Sequence, residues 1–110
     1  MNIYTARIGH KGLDITVKSG DKTFAPSWNI VMDLKNGNIT WEQYKEKYTQ
    51  MMRKSYKQNT KRWLELINKD ELTLICYCTD PNRCHRTLLA DMLVKVAKRH
   101  GVTATYLGEK

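Results

Sequence analysis

The chain has 110 residues, of which 41% are hydrophobic and 27% charged, with six Gly and two Pro. This length suits one domain, and the composition excludes collagen-like, low-complexity and disordered chains. Nineteen Lys and Arg against eleven Asp and Glu give a formal net charge of +8, which favours anionic partners without choosing among nucleotides, nucleic acids and acidic proteins.

The sequence shows no targeting or membrane segment. The first residues, MNIYTARIGH, lack the basic segment and apolar run of a signal peptide, and no window approaches about 18 apolar residues. The cysteines, three in number and all within residues 76–84, fit a reducing compartment better than a secreted disulfide framework. We therefore expect a cytoplasmic protein with no membrane partner.

The N-terminal part of the chain predicts two short strands followed by an ordered loop. Residues 2–8 and 13–17 are rich in β-branched and aromatic residues, which indicates strands. Residues 18–28 are rich in turn formers and predict a loop anchored by Phe24 and Trp28.

A helix is predicted to begin after Thr40, because Gln43 three residues later completes a capping box. Apolar and aromatic residues then recur at three- and four-residue spacing, which indicates a stripe facing the core or a partner: Trp41, Tyr44, Tyr48, Met51 and Met52. The cations mostly lie off that stripe, as a solvated face or a polyanion surface: Lys45, Lys47, Arg53, Lys54 and Lys57. A second helix is predicted from about residue 59 to 68.

The C-terminal part of the chain predicts a βαβ unit. Residues 72–78 form an apolar run of strand length, and residues 79–83 form a predicted turn. Residues 84–100 have a helical apolar period that ends at Gly101. Residues 102–107 are predicted to form a final strand, a parallel neighbour of the central one, so the fold class is α/β with a partly parallel sheet and flanking helices.

The turn between the predicted central strand and helix is the expected ligand site, since ligands of open α/β sheets bind beyond the carboxyl ends of strands. The helix N-terminus offers free N–H groups, and Arg83 and Arg86 add guanidinium groups that suit phosphate or carboxylate. The alternative is that Arg83 pairs with Asp80 and Arg86 faces solvent. Arg86→Ala is expected to leave the fold intact, because an arginine on the exposed side of a helix start contributes little to stability.

The cysteines and His85 carry the most reactive chemistry. Cys84 stands at the predicted helix start beside His85, where a thiol pKa is lowered, so it is a candidate nucleophile; a buried structural thiol is the alternative. Neighbouring residues at a helix start diverge by about 100°, which places Cys84 and His85 poorly for a mutual hydrogen bond. Cys76 and Cys78 are expected on one strand face, about 6.5 to 7 Å apart, which disfavours a disulfide between them.

Together these four residues supply three sulfurs and one imidazole, formally a complete zinc ligand set. Their spacing, Cys-x-Cys followed by a contiguous Cys-His, is not the usual Cys-x2–4-Cys, so no metal and no cofactor are predicted. The spacing from Cys78 to Arg83 also matches the Cys-x4-Arg of sulfur-transfer loops. That loop contains Asp80 and Pro81 and no glycine, so its amides suit an oxyanion poorly.

The segment Cys76-Tyr-Cys-Thr-Asp-Pro-Asn-Arg-Cys-His-Arg86, followed by Leu88-Leu89, resembles domain-of-unknown-function family 488. Three further segments and the end of the chain resemble the short phage-type branch of this family: Leu13-Asp14, Lys18-Ser19-Gly20, Phe24-Ala25-Pro26 and Tyr106 to Glu109. The resemblance implies a small, single-domain, Rossmann-like α/β fold over residues 1–110, with one pocket surrounded by Cys76, Cys84, His85 and Arg86. It brings no established reaction. Many members carry a Glu two residues after the strand cysteine, where this chain has Cys78.

We predict that this pocket binds a small anionic, nucleotide-type ligand. The anion would be contacted by Arg83, Arg86 and the helix amides. One aromatic residue, Tyr77, Trp28 or Tyr4, would stack on a base. In a phage protein, acting in the host cytoplasm, one concrete role would be to sequester a host nucleotide signal. The predicted ligand-binding residues are Tyr4, Asp14, Trp28, Cys76, Tyr77, Cys78, Arg83, Cys84, His85 and Arg86.

Two alternatives stay open. The first is a cysteine-dependent enzyme acting on a nucleotide or nucleoside, in which Cys84 attacks, His85 exchanges protons and Asp14 or Asp80 orients the imidazole. The second is a basic nucleic-acid-binding protein that uses the lysine-rich first predicted helix. The sequence predicts no oligomeric state.

Overall fold

The computed structural model describes residues 1–78 and 83–110. Within them the chain forms, in order, β1 (Asn2–Arg7), β2 (Leu13–Asp14), α1 (Trp28–Lys35), α2 (Trp41–Gln58), α3 (Thr60–Ile67), β3 (Glu71–Cys76), α4 (His85–Arg99) and β4 (Thr105–Glu109). The strands form one sheet in the order β2-β3-β1-β4. The predicted α/β class is confirmed.

Every strand pairing in the described sheet is parallel. β1 lies beside β3, with Ile3 opposite Leu72 and Arg7 opposite Cys76. β4 pairs with β1 and not with β3, so the prediction of β4 as the direct neighbour of the central strand is wrong. The reason is that β1 is itself a buried strand, with Ile3 and Ala6 fully covered, and it takes the place between them. The carboxyl ends of the strands therefore meet at one edge of the sheet.

The capping box at the start of α2 is confirmed. The backbone N–H of Gln43 donates to Thr40 Oγ1 at 3.2 Å, and the backbone N–H of Thr40 donates to Gln43 Oε1 at 2.9 Å. The aromatic stripe faces the core, because Tyr44, Tyr48 and Met52 are buried. The cations of α2 are exposed.

The region before α2 contains a helix that the sequence interpretation did not include. Ser27 begins α1 as its N-cap, and its hydroxyl oxygen accepts a hydrogen bond from the N–H of Ile30 at 3.5 Å. Phe24 anchors the preceding loop as predicted, since it is fully buried with its ring centroid 5.1 Å from that of Trp63. Trp28 is no anchor: as the first residue of α1 it stays 54% exposed.

The core lies between the helices and the face of the sheet that carries Ile3, Leu72 and Leu74. Its largest buried helix residues come from α2, α3 and α4: Tyr48, Trp63, Leu66, Leu89 and Leu93. Its polar atoms are paired, as when the Tyr48 hydroxyl donates to the carbonyl of Phe24 at 2.6 Å. In the described part of the chain, no helix is both long and apolar enough to cross a bilayer.

β2 is shorter than the predicted strand over residues 13–17. It stops at Asp14 because the carboxylate accepts hydrogen bonds from the N–H of Thr16 at 2.8 Å and from the Ser19 hydroxyl at 2.6 Å, which turns the backbone. Gly20 closes this turn, and a Cβ at that position would lie 2.4 Å from the nitrogen of Thr16. The turn leaves the buried Ile15 at the carboxyl edge of the sheet.

Thr40→Ala removes the side-chain half of the α2 cap, and we expect it to lower the free energy of unfolding by about 1 kcal/mol. For a domain of this size that corresponds to a melting temperature lower by about 4 to 8 °C, measured by circular dichroism. Thr49→Ala is the matched control, because the Thr49 hydroxyl donates only to the carbonyl of Lys45 within the same helix. Equal losses for the two variants would contradict a stabilising role of the cap.

Candidate functional site

Three thiols and one imidazole meet at the carboxyl edge of the sheet, and we refer to Cys76, Cys78, Cys84 and His85 as the thiol–imidazole cluster. Cys76 is the last residue of β3, and His85 is the first residue of α4 with Cys84 as its N-cap. Cys76, Cys84 and His85 are only 3%, 1% and 4% exposed, whereas Cys78 is half-buried. The ligating atoms of all four lie within 4.8 Å of one another.

The sulfurs are closer together than the strand geometry predicts. Cys76 Sγ lies 3.7 Å from Cys78 Sγ, because β3 ends at Cys76 and the chain bends at Tyr77. The expected separation of about 6.5 to 7 Å is that of residues i and i+2 in a strand that continues through residue 78. It is wrong for the two sulfur atoms, because the strand ends before Cys78. All three cysteines are free thiols.

Cys84 and His85 also contact each other, contrary to the sequence interpretation. Cys84 Sγ lies 3.9 Å from His85 Nδ1. The divergence of about 100° applies to two consecutive helical residues. Cys84 has extended backbone angles, φ −139° and ψ 144°, so its side chain leaves the chain in a different direction from that of a helical residue.

The imidazole of His85 is oriented by a main-chain oxygen. His85 Nε2 lies 2.6 Å from the carbonyl oxygen of Ile15, so Nε2 carries the proton and donates it. Cys76 Sγ lies beside the ring, 3.6 Å from Nε2 and 3.8 Å from Nδ1, and Nδ1 is also the nitrogen that contacts Cys84. Asp14 does not orient this ring, because its carboxylate accepts from Thr16 and Ser19, and Asp80 lies outside the described residues.

Charge is shared unequally among the thiols. Hydrogen bonds from Cys78 and Cys84, together with His85, hold the pKa of Cys76 far below that of a free thiol. The hydrogen bond to Cys76 and burial raise the pKa of Cys84, so the thiol proposed from sequence as the low-pKa group is the protonated partner. Burial opposes a charge on His85, but hydrogen bonds with Cys76 and Cys78 raise its pKa to about 9.

Arg86 is a structural residue of the described fold rather than an exposed anion ligand. It is fully buried, and its Nε and Nη2 donate to the two carboxylate oxygens of Glu109 at 3.1 and 2.7 Å. Its Nη1 donates to the carbonyl of Cys78 at 2.9 Å. The expectation that Arg86 stands on the exposed side of the helix is wrong, because the first turn of α4 faces the ends of the strands.

A cavity of about 150 Å³ opens beside the thiol–imidazole cluster. Its walls come from the β2 turn, α1, α2 and the residues after β3: Thr16, Val17, Val31, Leu34, Tyr44, Cys76, Tyr77, Cys78, Arg83 and His85. Five of the predicted ligand-binding residues are among them. Arg83 is exposed and forms no ion pair with another residue of 1–78 and 83–110. The alternative of an Arg83–Asp80 pair, and residues 79–82 of the turn predicted over 79–83, lie outside the described residues.

The remaining predicted ligand-binding residues are not on the cavity wall. Cys84 belongs to the thiol–imidazole cluster, and Arg86 is bonded to Glu109 and the Cys78 carbonyl, but neither lines the cavity. Asp14 accepts the hydrogen bond of the Ser19 hydroxyl in the β2 turn. Trp28 is exposed at the start of α1. Tyr4 lies on the sheet face opposite Ile3, where Lys110 Nζ is 4.6 Å from its ring centroid.

Three contributors to the site were not found from the sequence. The Ile15 carbonyl is main chain and has no residue-type signal, and Glu109 comes from the far end of the chain. Tyr44 belongs to a stripe whose spacing indicates only a buried face. The signal available for a partner of Arg86 was an acidic residue, Glu109, two residues beyond the predicted last strand.

The family model described as the active DUF488-N3 subclade matches residues 1–97. The chain belongs to the DUF488 family. This match confirms the predicted resemblance and spans β1 through most of α4, including the whole thiol–imidazole cluster. No curated protein and no solved structure matches the chain. The phage-type branch stays a prediction.

Arg86→Ala in this DUF488 chain is expected to lower the free energy of unfolding by about 2 to 4 kcal/mol, because it leaves the Glu109 carboxylate without its buried partner. The loss is below that of a fully buried pair since Glu109 remains 26% exposed. Arg86→Lys should also destabilise, because an ammonium group cannot bond both carboxylate oxygens and the carbonyl in the same geometry. Urea unfolding measures both.

Arg83→Ala is the matched control, three residues earlier and exposed, and should change stability by less than about 0.5 kcal/mol. If Arg86→Ala unfolded at the same urea concentration as the unmodified chain, the supporting role of the Arg86–Glu109 pair would be refuted.

Proposed function

We propose that this protein is a cysteine-dependent enzyme that acts on a small anionic, nucleotide-type substrate, with Cys76 as the nucleophile. The observation that carries the proposal is that Cys76 both lines the cavity and lies 3.6 to 3.8 Å from the ring nitrogens of His85. A thiol beside an imidazole at a cavity wall has the arrangement of an activated nucleophile. Cys84, the nucleophile suggested by the sequence, is absent from the cavity wall.

Three arguments from the sequence favoured binding over catalysis, and two of them rest on side-chain positions that differ in the structure. Cys84 and His85 were expected to be poorly placed for each other, yet their side chains are in contact. The two arginines were expected to suffice for anion capture, yet Arg86 is bonded to Glu109 and Cys78.

The substrate class follows from the surroundings of the cavity. Arg83 on the wall has a guanidinium group that forms no ion pair with another described residue and suits a phosphate or carboxylate. Tyr77 on the same wall is 51% exposed, available to stack on a base. The net charge of +8 attracts polyanions toward the whole surface. At about 150 Å³ the cavity is smaller than the roughly 300 Å³ of a drug-sized pocket, so it encloses one end of a nucleotide and not the whole molecule.

The chemistry is a nucleophilic displacement. Cys76 Sγ forms a bond to an electrophilic carbon of the substrate while the bond to the leaving group breaks, and the leaving group keeps the bonding electron pair. Water then attacks the same carbon, the carbon–sulfur bond breaks with its electron pair returning to Cys76 as the thiolate, and the proton lost by the water goes to the leaving group released in the first step. His85 supports this step by stabilising the negative charge on Cys76.

A second candidate is ligand binding without turnover, as in sequestering a host nucleotide signal by a phage protein. This candidate is favoured because no carboxylate among the described residues contacts His85. Cys78 stands where many relatives are expected to have a Glu, so a carboxylate that could act as general acid or base is missing at that position. The nucleic-acid alternative rests on the exposed cations of α2, which belong to a different face, and it stays a prediction.

The test is turnover of a panel of nucleosides, nucleotides and dinucleotides, followed by liquid chromatography and mass spectrometry. The unmodified protein is expected to convert at least one member, and Cys76→Ser should lose several orders of magnitude in turnover, because a serine hydroxyl is not ionised in this setting. Arg83→Ala should weaken binding of the same substrate while leaving the fold unchanged.

The same preparation is heat-denatured and its released small molecules are identified by mass spectrometry. A nucleotide that co-purifies and is recovered unchanged from both the unmodified protein and Cys76→Ser would overturn the enzyme proposal and establish the binding candidate. Turnover retained by Cys76→Ser would show that another group is the nucleophile.

A further inference from the structure

The thiol–imidazole cluster has the composition and spacing of a metal site. Three sulfurs and one nitrogen come from four residues, and their ligating atoms all lie within 4.8 Å of one another. Ligands of a tetrahedral zinc ion with Zn–S bonds of about 2.3 Å are separated by about 3.8 Å between sulfurs and about 3.6 Å between sulfur and nitrogen. The Cys76–Cys78 sulfur distance is 3.7 Å, and His85 Nδ1 lies 3.8 and 3.9 Å from the sulfurs of Cys76 and Cys84.

We propose that this cluster binds one zinc ion, held by the sulfurs of Cys76, Cys78 and Cys84 and by Nδ1 of His85. Whether zinc binds does not depend on the proposed enzymatic function, but the use made of the ion rests on it. The uncommon spacing of the ligands in sequence is no obstacle, because the bend at Tyr77 and the extended backbone of Cys84 supply the convergence that a Cys-x2–4-Cys turn supplies elsewhere.

The orientation of His85 is that of a metal ligand with an outer partner. Its Nε2–H donates to the carbonyl of Ile15 at 2.6 Å, which fixes the orientation of the ring and leaves Nδ1 as the nitrogen for a metal ion, 3.8 and 3.9 Å from the sulfurs of Cys76 and Cys84. Histidine ligands in metalloproteins almost always donate their second N–H to such a carbonyl or carboxylate. No other acceptor is needed, and the ring is held before any ion arrives.

The position of Cys84 also argues for a ligand role. An N-cap residue is favourable when its side-chain oxygen accepts a backbone N–H, and Ser, Thr, Asp and Asn dominate there. Cys84 makes no such capping bond, and its buried sulfur turns toward the cluster instead. The missing cap lowers the stability of α4, and this loss is explained if the Cys84 sulfur binds a metal ion instead.

The charge of the occupied site is compatible with its surroundings. Three thiolates, a neutral imidazole and Zn²⁺ sum to one negative charge. The cluster lies at the N-terminus of the fifteen-residue helix α4, whose partial positive charge favours it, and the buried guanidinium of Arg86 interacts electrostatically with Cys84. Soft thiolates in a tetrahedral set with one imidazole select zinc over the hard cations magnesium and calcium.

Four protein ligands leave no open position for water, so this zinc ion would not generate a hydroxide. Its part in the proposed reaction is to hold Cys76 as a thiolate at the cavity wall, since coordination to a metal activates a thiol nucleophile. It also fixes the end of β3 to the start of α4, on which the wall of the cavity depends.

The experiment measures zinc, iron, copper, nickel and cobalt in the full chain by inductively coupled plasma mass spectrometry, after purification without chelators. One zinc per chain is expected. His85→Gln should weaken zinc binding by more than about 100-fold, since loss of a mere outer partner already costs about 10- to 100-fold. The matched control is His100→Gln, at the other end of α4, where the ring contacts Tyr56 and should leave one zinc bound.

Measurements on the unmodified chain keep the test decisive if His85→Gln fails to fold. Replacement of zinc by Co²⁺ should give thiolate-to-cobalt charge-transfer absorption and the intense visible bands of a tetrahedral site. A folded chain that contains no metal and gains none with equimolar zinc in the presence of a chromogenic chelator would overturn the proposal. Stoichiometric iron or copper in place of zinc would overturn the choice of metal.

The turnover assay on zinc-loaded and chelator-treated protein separates this proposal from the proposed function. Bound zinc without turnover of any panel member would leave the metal site established and the enzyme proposal refuted. Turnover that depends on Cys76 and is equally fast in protein free of metal would establish the enzyme proposal and refute the part given to zinc in the reaction, while the metal site itself is decided by the metal analysis and the zinc titration.

Discussion

A buried positive charge sets the geometry of the carboxyl edge of this sheet. A guanidinium group without solvent is stable only when its N–H groups are bonded, and Arg86 meets this requirement with the Glu109 carboxylate and the Cys78 carbonyl. These partners follow β3 and end β4, on either side of β1. The first turn of α4 is thereby fixed above the sheet, and Cys84 and His85 take their positions because they directly precede Arg86.

The parallel sheet explains why one edge carries all of the chemistry. Each strand ends at the same side, so the last residue of β3, the turn after β2 and the start of α4 converge although they are distant in sequence. The cluster then occupies the place where an α/β protein usually receives an anion. Sulfur and imidazole groups take the place of free helix amides there, and under the proposed function the anion is bound further out, by Arg83 at the cavity wall.

Sequence patterns within one segment predicted the individual helices and strands well. They did not predict which segments contact each other in the fold. The capping box at Thr40 and the apolar run of β3 gave correct elements because local bonds and burial determine them. The position of β4 beside β1 depends on which buried strand fills the centre, and no spacing records that. The sequence placed the four cluster residues together as a formal zinc ligand set, but their convergence depends on backbone angles at Cys84 that residue types do not specify.

The oxygen that orients His85 belongs to the main chain of Ile15. No amino-acid replacement at that position deletes a carbonyl, so this half of the arrangement withstands mutational drift in a way that a side-chain acceptor would not. Divergent relatives can therefore vary residue 15 among apolar types and still present the same ring nitrogen to the sulfurs. The position of this carbonyl depends instead on the path of the backbone through the β2 turn. Gly20 is required for that path, because an added methyl group there would collide with Thr16. Selection at a residue without any functional group would then reflect the tautomer of a distant histidine.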